Sequence, residues 1–174
     1  YGLVLARANR SAEAITQLKE VLARNAFNPY MLRDLGTVYF MAGRLDQALS
    51  TLESARSMLP ADPDTLFYLG RTQQELGRRA EAIALYTDVV QKTPDYREAY
   101  YFLGQNLGQQ GALADAHYYL GLYHLRGRDL KTAAAQFKQA IRNTTDPEKR
   151  ERAERLLKQV EDEIKAEKKA LEGG

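Results

Sequence analysis

Apolar residues recur along this chain with helical spacing. Between Ser11 and Arg24, the residues Ala14, Ile15, Leu18, Val21 and Leu22 share one helix face. The same spacing predicts helices over 30–41 and 45–58, over 64–76 and 80–91, and over 114–126 and 130–142. The breaks between them are short and chemically marked. Pro29 and Pro63 stand in a first helical turn, where a missing N–H costs nothing. Gly43 and Gly77 stand where a helix ends on a left-handed residue. Residues 1–8 read as the remnant of an earlier helix and 25–28 as a loop.

The pattern is itself periodic. Residues 29–62 overlay 63–96 at a shift of 34. Leu32, Leu35, Gly36, Gly43, Ala48 and Pro60 fall on Leu66, Leu69, Gly70, Gly77, Ala82 and Pro94. A further shift reaches Leu103, Gly104, Gly111 and Ala116, and a backward shift reaches Gly2 and Ala14. A two-helix unit of this period resembles the tetratricopeptide repeat. The resemblance implies an all-α, right-handed superhelical solenoid of antiparallel helix pairs. Repeats are expected near 1–28, 29–62, 63–96 and 97–113, the last merging into 114–146.

The small residues have a steric task. Gly36, Gly70 and Gly104 sit on the first helix of each pair where the second crosses closely, and Ala48, Ala82 and Ala116 are the matching small residues on the second. Leu32, Leu66 and Tyr100 fill the groove between. The period then slips, because Leu120-Gly121 follows Leu103-Gly104 after 17 residues rather than 34. The helix over 114–126 must therefore close one repeat and open the next. From Pro147 the composition turns charged, with a narrow stripe of Ala153, Leu156, Leu157, Val160 and Ile164. Residues 147–174 read as a capping helix and tail, fraying beyond Ile164 and braced by pairs such as Glu148/Arg152, Glu151/Arg155 and Glu161/Lys165.

Composition narrows the function. A net charge of +2 with mixed signs offers no field for nucleic acid. No apolar run approaches the length of a membrane span. The absence of cysteine excludes disulfides, thiolate metal sites and a cysteine nucleophile. The two histidines, His117 and His124, lie seven apart without further ligands at metal spacing, and His117 reads as a packing residue. No GxSxG, HExxH or phosphate loop occurs, so neither catalysis nor a cofactor is expected of this chain.

The expected function is protein binding on the first helix of each pair. Arg33, Phe67 and Tyr101 share one repeat position, and Thr37, Arg71 and Gln105 the position one turn on. Phe40 and Gln74 follow a further turn along, and Tyr30 and Tyr118 extend the surface. In the family this face lines a concave groove, and rings with Arg and Gln beside them suit an extended peptide. The other reading is that Phe67 and Tyr101 pack within the array. The carboxylate clamp of co-chaperone arrays is absent. Arg33 can serve as one member, but Thr37, Tyr68, Glu98 and Phe102 replace the rest.

A narrower resemblance rests on Ala114-Asp115-Ala116-His117-Tyr118-Tyr119-Leu120-Gly121-Leu122-Tyr123, on Asp129 to Ala133 and on Phe137 to Ala140. These resemble the end of the array in bacterial BepA-like HExxH zinc metallopeptidases, and Tyr1-Gly2-Leu3 resembles its start. That resemblance implies an exported, periplasmic parent enzyme that holds zinc in a separate catalytic domain. Its array would recruit envelope substrates and cover the peptidase domain. Because Gly2 matches the eighth repeat position, the chain is read as part of a longer protein. The alternative is a stand-alone scaffold or assembly protein with no enzyme attached, and the alternative location is the cytoplasm.

Overall fold

The computed structural model describes residues 2–24 and 28–172, with side chains from Arg10 onward. Every regular element among them is a helix. In order these are α1 (Gly2–Arg24), α2 (Pro29–Met41), α3 (Leu45–Met58), α4 (Pro63–Glu75), α5 (Arg79–Lys92), α6 (Arg97–Gln109), α7 (Leu113–Arg126), α8 (Leu130–Asn143) and α9 (Pro147–Glu172). They fall into two compact units, Tyr1–Thr93 and Pro94–Gly174.

In the first unit α2 pairs with α3 and α4 with α5, while α1 packs on α2 and α2 runs beside α4. Each pair starts on a capped proline turn. The Asn28 side chain accepts from the N–H groups of Tyr30 and Met31, and Asp62 accepts from Thr65 N at 2.8 Å. These bonds satisfy donors that a helix start leaves open. At the turn, Gly43 (φ 71°) lets Arg44 N–H reach Tyr39 O at 2.9 Å. Gly77 (φ 76°) does the same for Arg78 and Gln73. The crossings are tight. A Cβ at Gly36 would lie 2.6 Å from Leu52 Cγ, and one at Gly70 would lie 2.8 Å from Tyr86 Cε1. Leu52, Leu66, Leu69, Tyr86 and Val89 are buried around these contacts. Each such side chain contributes on the order of 1.5–3 kcal/mol from apolar burial.

The expected break after residue 8 is absent, since α1 is one unbroken helix from Gly2 to Arg24. The position held by Gly43 and Gly77 in later repeats is here Asn9. Tyr1 and the expected loop at 25–27 lie outside the described residues.

In the second unit each helix packs on the next, α6 on α7, α7 on α8 and α8 on α9. The double role of α7 is visible at two glycines. A Cβ at Gly104 would lie 2.8 Å from Leu120 Cγ and 3.1 Å from Ala116 O, so α7 receives α6 as a second helix does. A Cβ at Gly121 would lie 2.5 Å from Phe137 Cε1, so α7 meets α8 as a first helix does. Leu130, Ala133, Ala134, Phe137 and Val160 form the core there, flanked by Tyr118, Leu122, Leu125, Leu156, Leu157 and Ile164.

Helix α9 runs past Ile164 to Glu172 with every residue from Lys165 on exposed, and Arg128 binds Glu163 at 2.9 Å and Glu167 at 2.6 Å. Glu161 pairs with Lys138 of α8 at 2.8 Å rather than with Lys165, which lies 3.6 Å from Asp162. Glu148/Arg152 and Glu151/Arg155 do pair, at 3.5 and 3.9 Å.

Candidate functional site

The sequence-selected residues of the first unit gather along α2 and α4. At one end Tyr30 is 52% exposed, with the Arg33 guanidinium 5.4 Å from its ring centroid. Arg33 is held by three carboxylates, Asp34 at 2.9 Å, Asp62 at 3.6 Å and Asp64 at 3.7 Å. Burial works against its charge, but the hydrogen bond to Asp34 and the charges of Asp34, Asp62 and Asp64 raise its pKa overall. Arg33 thus ties α2 to the capped start of α4 and is not an open receptor for a partner's carboxylate.

Toward the other end the rings come together. Phe40 meets Tyr68 edge to face with centroids 5.9 Å apart, and the Arg71 guanidinium lies 5.2 Å from the Phe40 centroid. Arg71 also reaches Glu75 at 4.0 Å. Gln74 accepts the Tyr86 hydroxyl at 3.1 Å, and burial pushes the Tyr86 phenol well above its ordinary pKa. Phe40, Tyr68, Arg71, Gln74 and Thr37 are all half-buried, so each keeps some surface in solvent.

Phe67 does not belong to this surface. It is 6% exposed and packs against Tyr68 and Tyr86, with centroids 5.5 and 6.0 Å away. The packing reading is the one the structure takes here. Tyr68, half-buried, takes the surface place instead and sits between Phe40 and Phe67. Its sequence signal is its place among the clamp positions, one residue past Phe67.

In the second unit Gln105 donates to the Tyr101 hydroxyl at 2.8 Å, and the Tyr101 ring lies 5.3 Å from that of Tyr123. Arg97 stacks over Tyr123 at 4.2 Å and donates to Tyr123 O at 3.2 Å. Its guanidinium occupies the space a Cβ would need at Gly127. Tyr118, expected to extend the binding surface, packs instead on the α8 core, its ring 6.2 Å from Phe137. Phe67, Tyr101 and Tyr118 each meet an aromatic ring of the following helix, Tyr86, Tyr123 and Phe137 respectively.

His117 Nδ1 lies 2.8 Å from Gln136 Oε1, and His124 Nδ1 lies 3.2 Å from Asp129. Among the described residues no group of three or more His, Asp or Glu side chains is placed to hold a metal ion. No helix among them is long and apolar enough to cross a membrane.

Tetratricopeptide-repeat family models match residues 39–101 in one case, and 2–64 with 114–147 in another. The chain belongs to the tetratricopeptide repeat family. It is similar to superkiller complex protein 3 of Homo sapiens, 28% identical over 104 residues, and to that of Mus musculus, 29% identical over 104 residues. Each match covers 60% of this chain and 7% of the relative, so the chain spans a small part of the curated relatives' length. Among solved structures it resembles MamA from Desulfovibrio magneticus RS-1, with a TM-score of 0.65, 16% identity and 95% of each chain covered. A further MamA crystal structure gives a TM-score of 0.62 at 18% identity, with 89% of each chain covered. At such identity the likeness is one of fold. Tetratricopeptide arrays are protein-interaction modules and are generally non-catalytic.

Proposed function

We propose that this chain holds a peptide or protein segment against the strip on α2 and α4, with Phe40 and Tyr68 as its apolar anchors. The supporting observation is the Phe40–Tyr68–Arg71 group, two rings in edge contact with a guanidinium over one of them, half-exposed on the first-helix face. Rigid aromatic area beside arginine concentrates binding energy. Thr37 and Gln74 stand beside it as polar contacts for a partner's backbone. The superkiller relative is, by its name, part of a complex, which fits an array working inside a protein assembly.

The test is selection of peptides from a displayed random library on the full chain. Selected peptides should lose roughly thirtyfold in affinity to Phe40→Ala, the ratio for a hot spot of about 2 kcal/mol. They should bind unchanged to Ala84→Glu on α5. Equal affinity for wild type and Phe40→Ala, with melting preserved, would remove the strip from the binding site.

A second reading places the array in an exported zinc metallopeptidase of the bacterial periplasm, recruiting substrates and controlling access to the catalytic domain. Its support is the resemblance carried by residues 114–123 and 129–140. Reading the coding region upstream tests it. An HExxH helix behind a signal peptide is the expected result, and further repeats alone would leave a scaffold.

A further inference from the structure

The turn between α7 and α8 departs from the other turns in a specific way. Gly43, Gly77 and Gly111 supply the left-handed residue at the corresponding turns, with φ of 71°, 76° and 89°. Here that residue is Arg128, at φ 61°, a conformation a Cβ makes unfavourable. The backbone bond is the usual one, Asp129 N–H to His124 O at 3.0 Å, so the arginine is not needed to close the turn. What its side chain does is reach α9, where it binds Glu163 and Glu167.

The helix it reaches is thinly held. Counted from Pro147 as α4 is from Pro63, α9 is a first helix in register, with Ala153 in the place of Leu69. The crossing glycine is replaced by Glu154 and the turn glycine by Glu161, and the helix runs on where α4 turns. The 13-residue α4 buries seven residues, whereas the 26-residue α9 buries only Ala153 and Val160. Beyond its apolar stripe, α9 is tied to the array by Lys149–Asp115, Lys138–Glu161 and the two Arg128 pairs. Exposed pairs of this kind weaken with salt. A thin apolar contact pinned by surface charges is what a locally opening element looks like.

We infer that α9 is a releasable strap latched by Arg128, and that the α7–α8 face beneath it accepts an amphipathic helix of the same pattern from a partner. The face comprises Leu130, Ala134 and Phe137, with Leu122 and Leu125 beside them. The helix that fits it carries apolar residues at the spacing of Ala153, Leu156, Leu157, Val160 and Ile164. It also carries carboxylates where Glu161, Glu163 and Glu167 meet Lys138 and Arg128.

The experiment uses the full chain, its Arg128→Gly variant and a labelled synthetic peptide of residues 147–172. Glycine relieves the left-handed turn while removing the latch. The expected result is that α9 amides exchange at least tenfold faster than those of α8, with a ratio that rises with salt. Arg128→Gly should raise α9 exchange without lowering the melting temperature. A Glu163→Gln, Glu167→Gln chain, which unlatches α9 and leaves Arg128 on the face, should bind the peptide roughly threefold to tenfold more tightly than wild type, the range set by losing exposed ion pairs. If α8 and α9 exchange as one unit, or Arg128→Gly lowers melting and leaves α9 exchange alone, the latch is only structural and the inference fails. It fails equally if the peptide does not bind, or binds wild type and the Glu163→Gln, Glu167→Gln chain with the same affinity.

Discussion

Alanine at Gly121 should change sign in its effect on stability according to what stands at residue 137. In a helix interior alanine is better than glycine by about 0.5–1 kcal/mol. Here the added Cβ would lie 2.5 to 2.9 Å from three atoms of the Phe137 ring, and that ring is fully buried and cannot swing away. Overpacking of this kind costs about 1–3 kcal/mol, so Gly121→Ala alone should destabilise by about 1 kcal/mol net. Phe137→Ala alone should cost about 3–5 kcal/mol. In the Phe137→Ala background the clash is gone and only the helix preference remains. Gly121→Ala should then stabilise by about 0.5–1 kcal/mol, a coupling on the order of 1–3 kcal/mol between the sites. Urea unfolding followed by circular dichroism on the four proteins measures it. Equal stabilisation by Gly121→Ala in both backgrounds would refute the claim that α7 receives α8 at this glycine.

Other expectations follow from the caps and the buried phenol. Asp62→Ala removes the α4 cap and one partner of Arg33, and should destabilise by about 1 kcal/mol, read as a lower melting temperature. Tyr86→Phe loses the bond to Gln74 without opening a cavity, and should cost about 1 kcal/mol by the same melt. The Asp129 carboxyl is held below its ordinary range by the Thr132 hydroxyl and N–H, with His124 adding to the effect. A depressed carboxyl pKa stabilises the fold above the ordinary value and loses that contribution as pH falls through the depressed one. An NMR titration should therefore find Asp129 ionised below the usual aspartate midpoint of about 3.9, and a midpoint at or above it contradicts the α8 cap.

What the sequence disclosed is local or periodic. The 34-residue repeat, the proline starts, the glycine turns and the close crossings at Gly36, Gly70 and Gly104 could all be read by counting. So could the double duty of α7, since the slip from Gly104 to Gly121 leaves one helix for two roles. What stayed hidden depends on which neighbour covers a side chain. Phe67 and Tyr101 share a repeat position, yet whether a ring there lines a groove or packs on the next helix is set by Tyr86 and Tyr123 across the pair. Arg33 looked like a receptor because Asp62 and Asp64 approach it only after α4 folds beside α2. Arg128 carried no signal, because a left-handed arginine makes sense only once Glu163 and Glu167 are seen opposite it. The continuity of α1 shows the reverse failure, in which periodicity predicted a break that the helix does not make.

Titration of a library-selected peptide into isotopically labelled protein, followed by amide chemical shifts, tests the binding claim most directly. The account predicts that the largest shifts fall on Thr37, Phe40, Tyr68, Arg71 and Gln74. Shifts confined instead to the outer face at Arg56, Ala84 and Gln91, with α2 and α4 unmoved, would contradict it.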